Sequence, residues 1–182
     1  MGIKKILVLS SDEKAADKKD FEINEALTIN KWTPGLFRYL PPNAPGYYIL
    51  FWFAHYFKLF RNNSYCAFYL ENTKKDIVSS LIFAPKLFIW PFMDNKDVQI
   101  KSGFTIPEYR GKGLSFFLRQ YALRFFQVEQ RTVWSLVHSD NAPSIAVNKK
   151  SGLIIRGHYK IKKKMFFFIK IGAIKPLEES HC

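Results

Sequence analysis

Several things that mark common protein classes are scarce here. The 182 residues include two cysteines, Cys66 and Cys182, far apart in the chain. That excludes a disulfide framework and any cysteine-based metal spacing, and it fits a reducing cytoplasm. The four histidines show no ligand spacing, so no metal is expected. The nearly all-apolar stretch Tyr47 to Phe60, broken by His55 and Lys58, has 14 residues, against about 20 for a bilayer-spanning helix. Met1 to Ser10 has a basic beginning and a short apolar patch, Ile6 to Leu9, but no long apolar region follows, so no signal peptide is expected. Acids are few, 15 against 28 Lys and Arg, giving a net charge of +13. Neither the P-loop pattern nor the dinucleotide pattern G-x-G-x-x-G is present. No DNA- or RNA-reading motif accompanies the positive charge, so nucleic acid is not expected as a partner. A solvated basic surface, an acidic membrane surface and an anionic small molecule are the readings left.

Apolar residues make up 48% of the chain, too many for disorder. The length suits one domain, residues 1–182, with a sizeable core. Aromatics are abundant: 18 Phe, 9 Tyr and 4 Trp. The most informative stretch is Thr105-Ile106-Pro107-Glu108-Tyr109-Arg110-Gly111-Lys112-Gly113-Leu114-Ser115. A strand-like segment, Val98 to Thr105, precedes it, and an amphipathic run, Leu114 to Phe126, follows. In that run Leu114, Phe117, Leu118, Tyr121, Ala122 and Phe125 form the apolar face, with Arg119, Gln120, Arg124 and Gln127 opposite. Strand, glycine- and cation-bearing turn, then helix is an arrangement that holds phosphate. The first helical amides lack intrahelical partners and sit at the positive end of the dipole. Glycines let the backbone approach a bulky anion.

A second segment, Ser139 to Leu153, begins another helix. Asp140 or Asn141 can cap it, Pro143 suits its first turn and Gly152 suits the left-handed residue after it. One helix and one strand, Arg131 to His138, fit between Gly113 and Asn141.

Arg110 to Ser115 resembles the Q/R-x-x-G-x-G/A signature of the GNAT acetyltransferases, with Ser115 where Gly or Ala is usual. Ser139 to Leu153 resembles that family's later motif, roughly N-x-x-S/A-x-x-x-Y/N-x-K-x-G-F. The resemblance covers about residues 97–172. It implies an α+β (mixed α/β) fold: a twisted mixed sheet of six or seven strands, helices on both faces, and two central strands splayed apart. It implies acetyl-CoA as acyl donor. Amides of Phe104, Thr105 and Ile106 would meet the pantetheine and thioester. Arg110, Gly111, Lys112, Gly113, Leu114 and Ser115 would hold the pyrophosphate, with Asn141 and Ser144 contributing at the second helix. Asn141 reads equally well as a helix cap.

Two departures bear on catalysis. Where many members place a glutamate base the chain has Gln99, and where many place a tyrosine acid it has Asn148. Substitutes are weak candidates: Asp97, Glu108, His55 and His138 as base, Tyr159 as acid. Each also has a structural reading. Ser135, His138 and Asp140 do not make a hydrolase triad, since no nucleophile-elbow sequence is present.

The N-terminal half carries no recognised motif and is assigned to the acceptor side. Ile3 to Leu9 reads as a strand, and Ser10 to Asp20 as loop or solvated helix. Phe21 to Trp32 is ambiguous between strand and helix. Leu36 to Leu40 forms an arm between loop signals. Tyr47 to Phe60 reads as a core helix, with a dimer contact or peripheral membrane contact as alternatives. Tyr65–Leu70, Ile77–Phe83 and Leu87–Phe92 read as a meander, and Ile154–Tyr159 and Met165–Ile171 as the last strands. The expectation is a cytoplasmic N-acetyltransferase acting on a primary amine of a small molecule. An amino sugar fits the aromatic content through ring stacking. The alternatives are a protein or peptide amine as acceptor, and a catalytically silent acyl-CoA-binding protein.

Overall fold

A computed structural model describes residues 3–11, 26–86, 90–164 and 168–171, with side chains described for 6–11, 26–86 and 90–158. One eight-stranded mixed sheet organises these residues, one strand more than the resemblance implies. Its strands are β1 (Ile3–Ser11), β2 (Thr28–Trp32), β3 (Cys66–Glu71), β4 (Ile77–Pro85), β5 (Val98–Thr105), β6 (Val133–His138), β7 (Leu153–Lys164) and β8 (Phe168–Ile171). The helices are α1 (Ile49–Tyr56), α2 (Leu114–Val128) and α3 (Ala142–Lys150). The spatial order is β2-β3-β4-β5-β6-β1-β7-β8. The class is α+β.

Side chains alternate across the sheet as strand geometry requires. On β3 and β4, Cys66, Phe68, Leu70, Leu81 and Phe83 face one way, into a core closed by Leu118, Ala122 and Phe126 of α2. Ala67, Ile82 and Ala84 face the other way, into a smaller core with Tyr48, Tyr65 and the partly buried Phe51 and Ala54 of α1. Helices therefore cover both faces. Phe68 anchors the larger core through edge contacts to Phe83, Phe125 and Phe126, with centroids 5.8, 5.3 and 6.1 Å away.

Several sequence expectations change. The run Tyr47–Phe60 holds a shorter helix, preceded by a 3-10 turn at Gly46–Tyr48 and ended where Lys58 takes φ 53°. Trp90–Phe92 is turn rather than strand, because Pro91 and the Asp94–Asp97 turn interrupt it; residues 87–89 lie outside the described set, as do 12–25 and 165–167. The buried face of α2 also differs. Arg119 and Gln120 are buried and Tyr121 is 43% exposed. The reason is α3: Gln120 Nε2 donates to Ser151 O at 2.8 Å, and Arg119 Nε to Asn148 Oδ1 at 3.3 Å.

Candidate functional site

The site begins where the sheet opens. β5 and β6 are parallel and pair only at Val98/Val133, Gln99/Trp134 and Ile100/Ser135. Beyond Ile100 the two strands share no ladder, and the gap between them faces the start of α2. The sequence reading of splayed central strands describes this opening.

Donors into the gap follow from strand alternation. Ile106 N donates to Val78 O at 3.0 Å, and Ser79 Oγ donates to Phe104 O at 3.1 Å. Phe104 and Ile106 therefore turn toward β4, while Thr105 turns toward the gap. Arg110 Nε donates to Thr105 O at 3.1 Å, which leaves the Thr105 amide aimed outward. Three consecutive amides cannot face one side of a strand, so the expectation for Phe104, Thr105 and Ile106 reduces to Thr105.

The turn after β5 is shaped by its glycines. Gly111 and Gly113 both take φ 78°, a left-handed conformation that favours glycine. A Cβ on Gly111 would meet nothing within 4 Å, so the space above the turn is open. Gly113 is the N-cap of α2 and supplies no side-chain cap. The first intrahelical bond is Phe117 N to Gly113 O at 3.0 Å. The Leu114 and Ser115 amides thus point out of the positive end of the helix. A cavity of about 360 Å³ lies against them. Arg110, Gly111, Gly113, Ser115, Thr105 and Tyr109 line one side, and Pro143, Ala146, Val147 and Lys150 of α3 the other. No acid lines it. Lys112 stands nearby with its ammonium 4.5 Å from the Tyr109 ring centroid.

Ser115, where the resemblance expects Gly or Ala, adds a hydroxyl that is used as an acceptor. Its hydroxyl and its carbonyl both accept from Arg119 Nη1, the carbonyl at 3.2 Å. Arg119 is 4% exposed, and burial lowers its guanidinium to about 10. Its Nε reaches Asn148, which is fully buried and donates from Nδ2 to Ser144 O at 2.8 Å. Asn148 thus pins α3 to the start of α2. Asn141 Oδ1 accepts from Ser144 N at 3.2 Å and caps α3. Both residues start the helix that walls the cavity, rather than lining the cavity themselves.

The expected proton-transfer groups scatter. Asp97 is 2% exposed and fully engaged: Oδ2 accepts from Asp94 N and Trp134 Nε1 (both 2.8 Å), and Oδ1 from Thr132 N (3.3 Å). It organises the start of β5, at the end of the strand away from Thr105. Glu108 is exposed in the Pro107–Tyr109 turn, and His138 is exposed at the end of β6. His55 lies on α1, where burial lowers its imidazole. Tyr159 sits on β7 opposite Ile6, and its side chain is outside the described set. Gln99 is 3% exposed, with Oε1 buried and unpartnered among the described residues.

Sequence reasoning missed Lys101. β4 and β5 shift register there: Phe83 faces Ile100 and Ile82 faces Ser102, leaving Lys101 as the bulged residue. The bulge turns Lys101 and Ser102 to the same face. Lys101 Nζ lies 5.6 Å from the Phe51 ring centroid of α1, and Ser102 stands opposite Ile82 of the α1-side core. Lys101 is the first residue past the last β5–β6 pair, on the face away from α2. Burial lowers its ammonium to about 8. A single extra residue in a strand leaves no local sequence signal. Lys150 was visible only as part of a basic stretch.

No curated protein matches the sequence. Among solved structures, a GCN5-related N-acetyltransferase from Sphaerobacter thermophilus aligns with TM-score 0.58 and 15% identity, covering 88% of this chain and 51% of that one. The structure of AAC(6')-Iy, in complex with the bisubstrate analog CoA-S-monomethyl-acetylneamine, aligns at 0.51 and 15%, covering 80% and 99%. A GCN5-related glucosamine N-acetyltransferase region of a fungal multi-domain GH3 β-N-acetylglucosaminidase aligns at 0.54 and 12%, covering 87% and 21%. This chain spans about half the length of the Sphaerobacter protein and of others it matches. The sequence model of the acetyltransferase (GNAT) family matches residues 28–153, and the chain belongs to that family.

Proposed function

We propose that this protein moves an acetyl group from acetyl-CoA to a primary amine of a small molecule, with an amino sugar as the favoured acceptor. The observation that carries the reading is the β5–β6 gap opening onto the uncapped, positively polarised start of α2. An acid-free cavity with Arg110 and Lys150 in its wall suits a pyrophosphate. Asn141 and Ser144 serve the site by starting α3 through the bond between them. The amino-sugar assignment draws on the two similar structures whose descriptions name acetylneamine and glucosamine.

Acetyl-CoA, once bound, supplies the acyl thioester. The residues of the chain do the rest. The Thr105 amide points into the gap, where it can donate to a developing oxyanion. An amine attacks only when neutral, so its ammonium must lose a proton. Lys101, whose ammonium lies near 8, takes that proton in its neutral form on the α1 side of the gap. This replaces the glutamate that Gln99 cannot supply. The new C–N bond forms as the thioester C–S bond breaks, and CoA leaves as thiolate. Holding both reactants across the gap contributes the remainder through proximity.

A second reading, a silent acyl-CoA-binding protein, is favoured by Gln99 and by Asn148, which is locked to Arg119. Release of CoA thiol from acetyl-CoA in the presence of glucosamine or neamine separates the two. Amine-dependent release supports transfer. Acetyl-CoA binding with no release for any primary amine in a broad panel supports the silent protein.

A further inference from the structure

We propose that the outer face of α1, together with the Gly35–Arg38 turn and the segment Phe57–Arg61, docks on an anionic lipid bilayer. This goes beyond acyl transfer and does not depend on it. Of the fourteen large hydrophobic residues exposed among the described residues, ten lie between Leu36 and Leu59. Phe37 is 87% exposed, Leu59 72%, Phe57 71% and Leu36 68%. A contiguous apolar surface of this kind marks an interaction face.

Its construction is ordered. α1 turns Phe51 and Ala54 toward the sheet. Leu50, Phe53 and Phe57, at i, i+3 and i+7, form an exposed stripe beside that buried face. The Gly35–Arg38 turn closes on itself by reciprocal backbone bonds of 3.3 and 3.1 Å. Trp52 Nε1 donates to Gly35 O at 2.9 Å and holds that turn against α1. Leu36 and Phe37 are thereby presented at a fixed tip.

Charge selects the occupant. From Ala26 to Leu70 the chain has no Asp or Glu. Arg38, Lys58 and Arg61 are exposed around the apolar face, and none makes an ion pair among the described residues. A second copy seated face to face would bring these cations against their own copies with no acid between them. A polyanion alone would satisfy the cations and leave the apolar tip in water. A bilayer with anionic headgroups satisfies both, taking Phe37, Leu50, Phe53 and Phe57 at the acyl boundary and the cations at the phosphates. No helix among the described residues is long and apolar enough to cross a membrane, so the contact lies at the surface.

The test is flotation of the full chain with vesicles of phosphatidylcholine alone, and of phosphatidylcholine with one third phosphatidylglycerol, at low and high salt. The expected result is binding to the anionic vesicles only, weakened by salt. Phe37→Ser with Phe57→Ser should reduce it by about tenfold or more. Lys58→Gln with Arg61→Gln should reduce it by about fivefold per charge. All four positions are exposed, so the unfolding midpoints should match the wild type. Failure to bind anionic vesicles at low salt, or equal binding to neutral ones, overturns the proposal. So does a wild-type dimer, seen by sedimentation, that the Phe37→Ser, Phe57→Ser pair dissociates, since a second copy then covers the face. Acetyl-CoA affinity of the variants reports the donor site separately.

Discussion

Replacing Lys101 by methionine should make this protein more stable and a poorer catalyst. Lysine in water has a pKa of 10.5, and burial beside α1 lowers it to about 8. At pH 7 the ammonium is charged in both the folded and unfolded states, so folding bears the full cost of burying it. A shift of this size corresponds to about 3 kcal/mol. The contact with the Phe51 ring, 5.6 Å away, opposes this by about 0.5–1 kcal/mol. Methionine resembles uncharged lysine in shape, so Lys101→Met should gain about 2–3 kcal/mol at pH 7. The pH dependence fixes the sign. Between about 8 and 10.5 the unfolded chain keeps the proton that the folded chain has lost. Wild-type stability therefore rises with pH across that window, and the advantage of the variant shrinks. Thermal unfolding followed by circular dichroism at pH 6.5, 8 and 9.5 measures this, with an expected gain of several degrees at pH 6.5. In thiol-release assays with an active amine, the wild type should show a rising limb near pH 8 that Lys101→Met lacks. A variant no more stable at pH 6.5, or a gain that grows with pH, refutes the argument.

Other consequences follow from the same contacts. Asn148→Leu leaves the buried Arg119 Nε without an acceptor; it should cost about 2–3 kcal/mol in urea unfolding, and Arg119→Met in the same chain should recover part of the loss. Asp97→Ala removes three accepted hydrogen bonds at the start of β5; about 3 kcal/mol should be lost, with acetyl-CoA affinity in the folded protein unchanged, since Asp97 lies away from the cavity. Gly111→Ala places a Cβ at φ 78° with open space above it; thermal unfolding should show a cost of about 1 kcal/mol from backbone strain alone. Cys66 is buried, and its thiol is pushed up to about 12; it should resist a thiol reagent in the native state and react on unfolding.

What the sequence disclosed, and what it hid, divides along locality. β5, the turn and the beginning of α2 match the sequence reading because glycine and proline punctuate them: Gly111 and Gly113 at φ 78°, Pro107 opening the 3-10 turn. α3 was legible for the same reason, with Asn141 capping, Pro143 in the first turn and Gly152 at φ 93°. The side chains that decide the site depend on partners distant in sequence. Arg119 reads as a surface cation on α2 until α3 brings Asn148 to it, 29 residues later. Three amides in a row look equivalent in the sequence, yet pairing of β5 with β4 leaves only Thr105 facing the gap. The bulge that turns Lys101 toward α1 depends on the register of β4, which no single strand encodes. The apolar run Tyr47–Phe60 was visible, but its division into Phe51 and Ala54 inside and Leu50, Phe53 and Phe57 outside required the sheet.

The central claim is that the uncapped start of α2 holds the phosphates of acetyl-CoA. Calorimetric titration of acetyl-CoA into the wild type and Gly113→Glu tests it most directly, with circular dichroism confirming that the variant is folded. The account predicts micromolar binding to the wild type and none to the variant, whose carboxylate occupies the phosphate position at the helix start. Wild-type protein that fails to bind, or a folded variant that binds as tightly as the wild type, would contradict it.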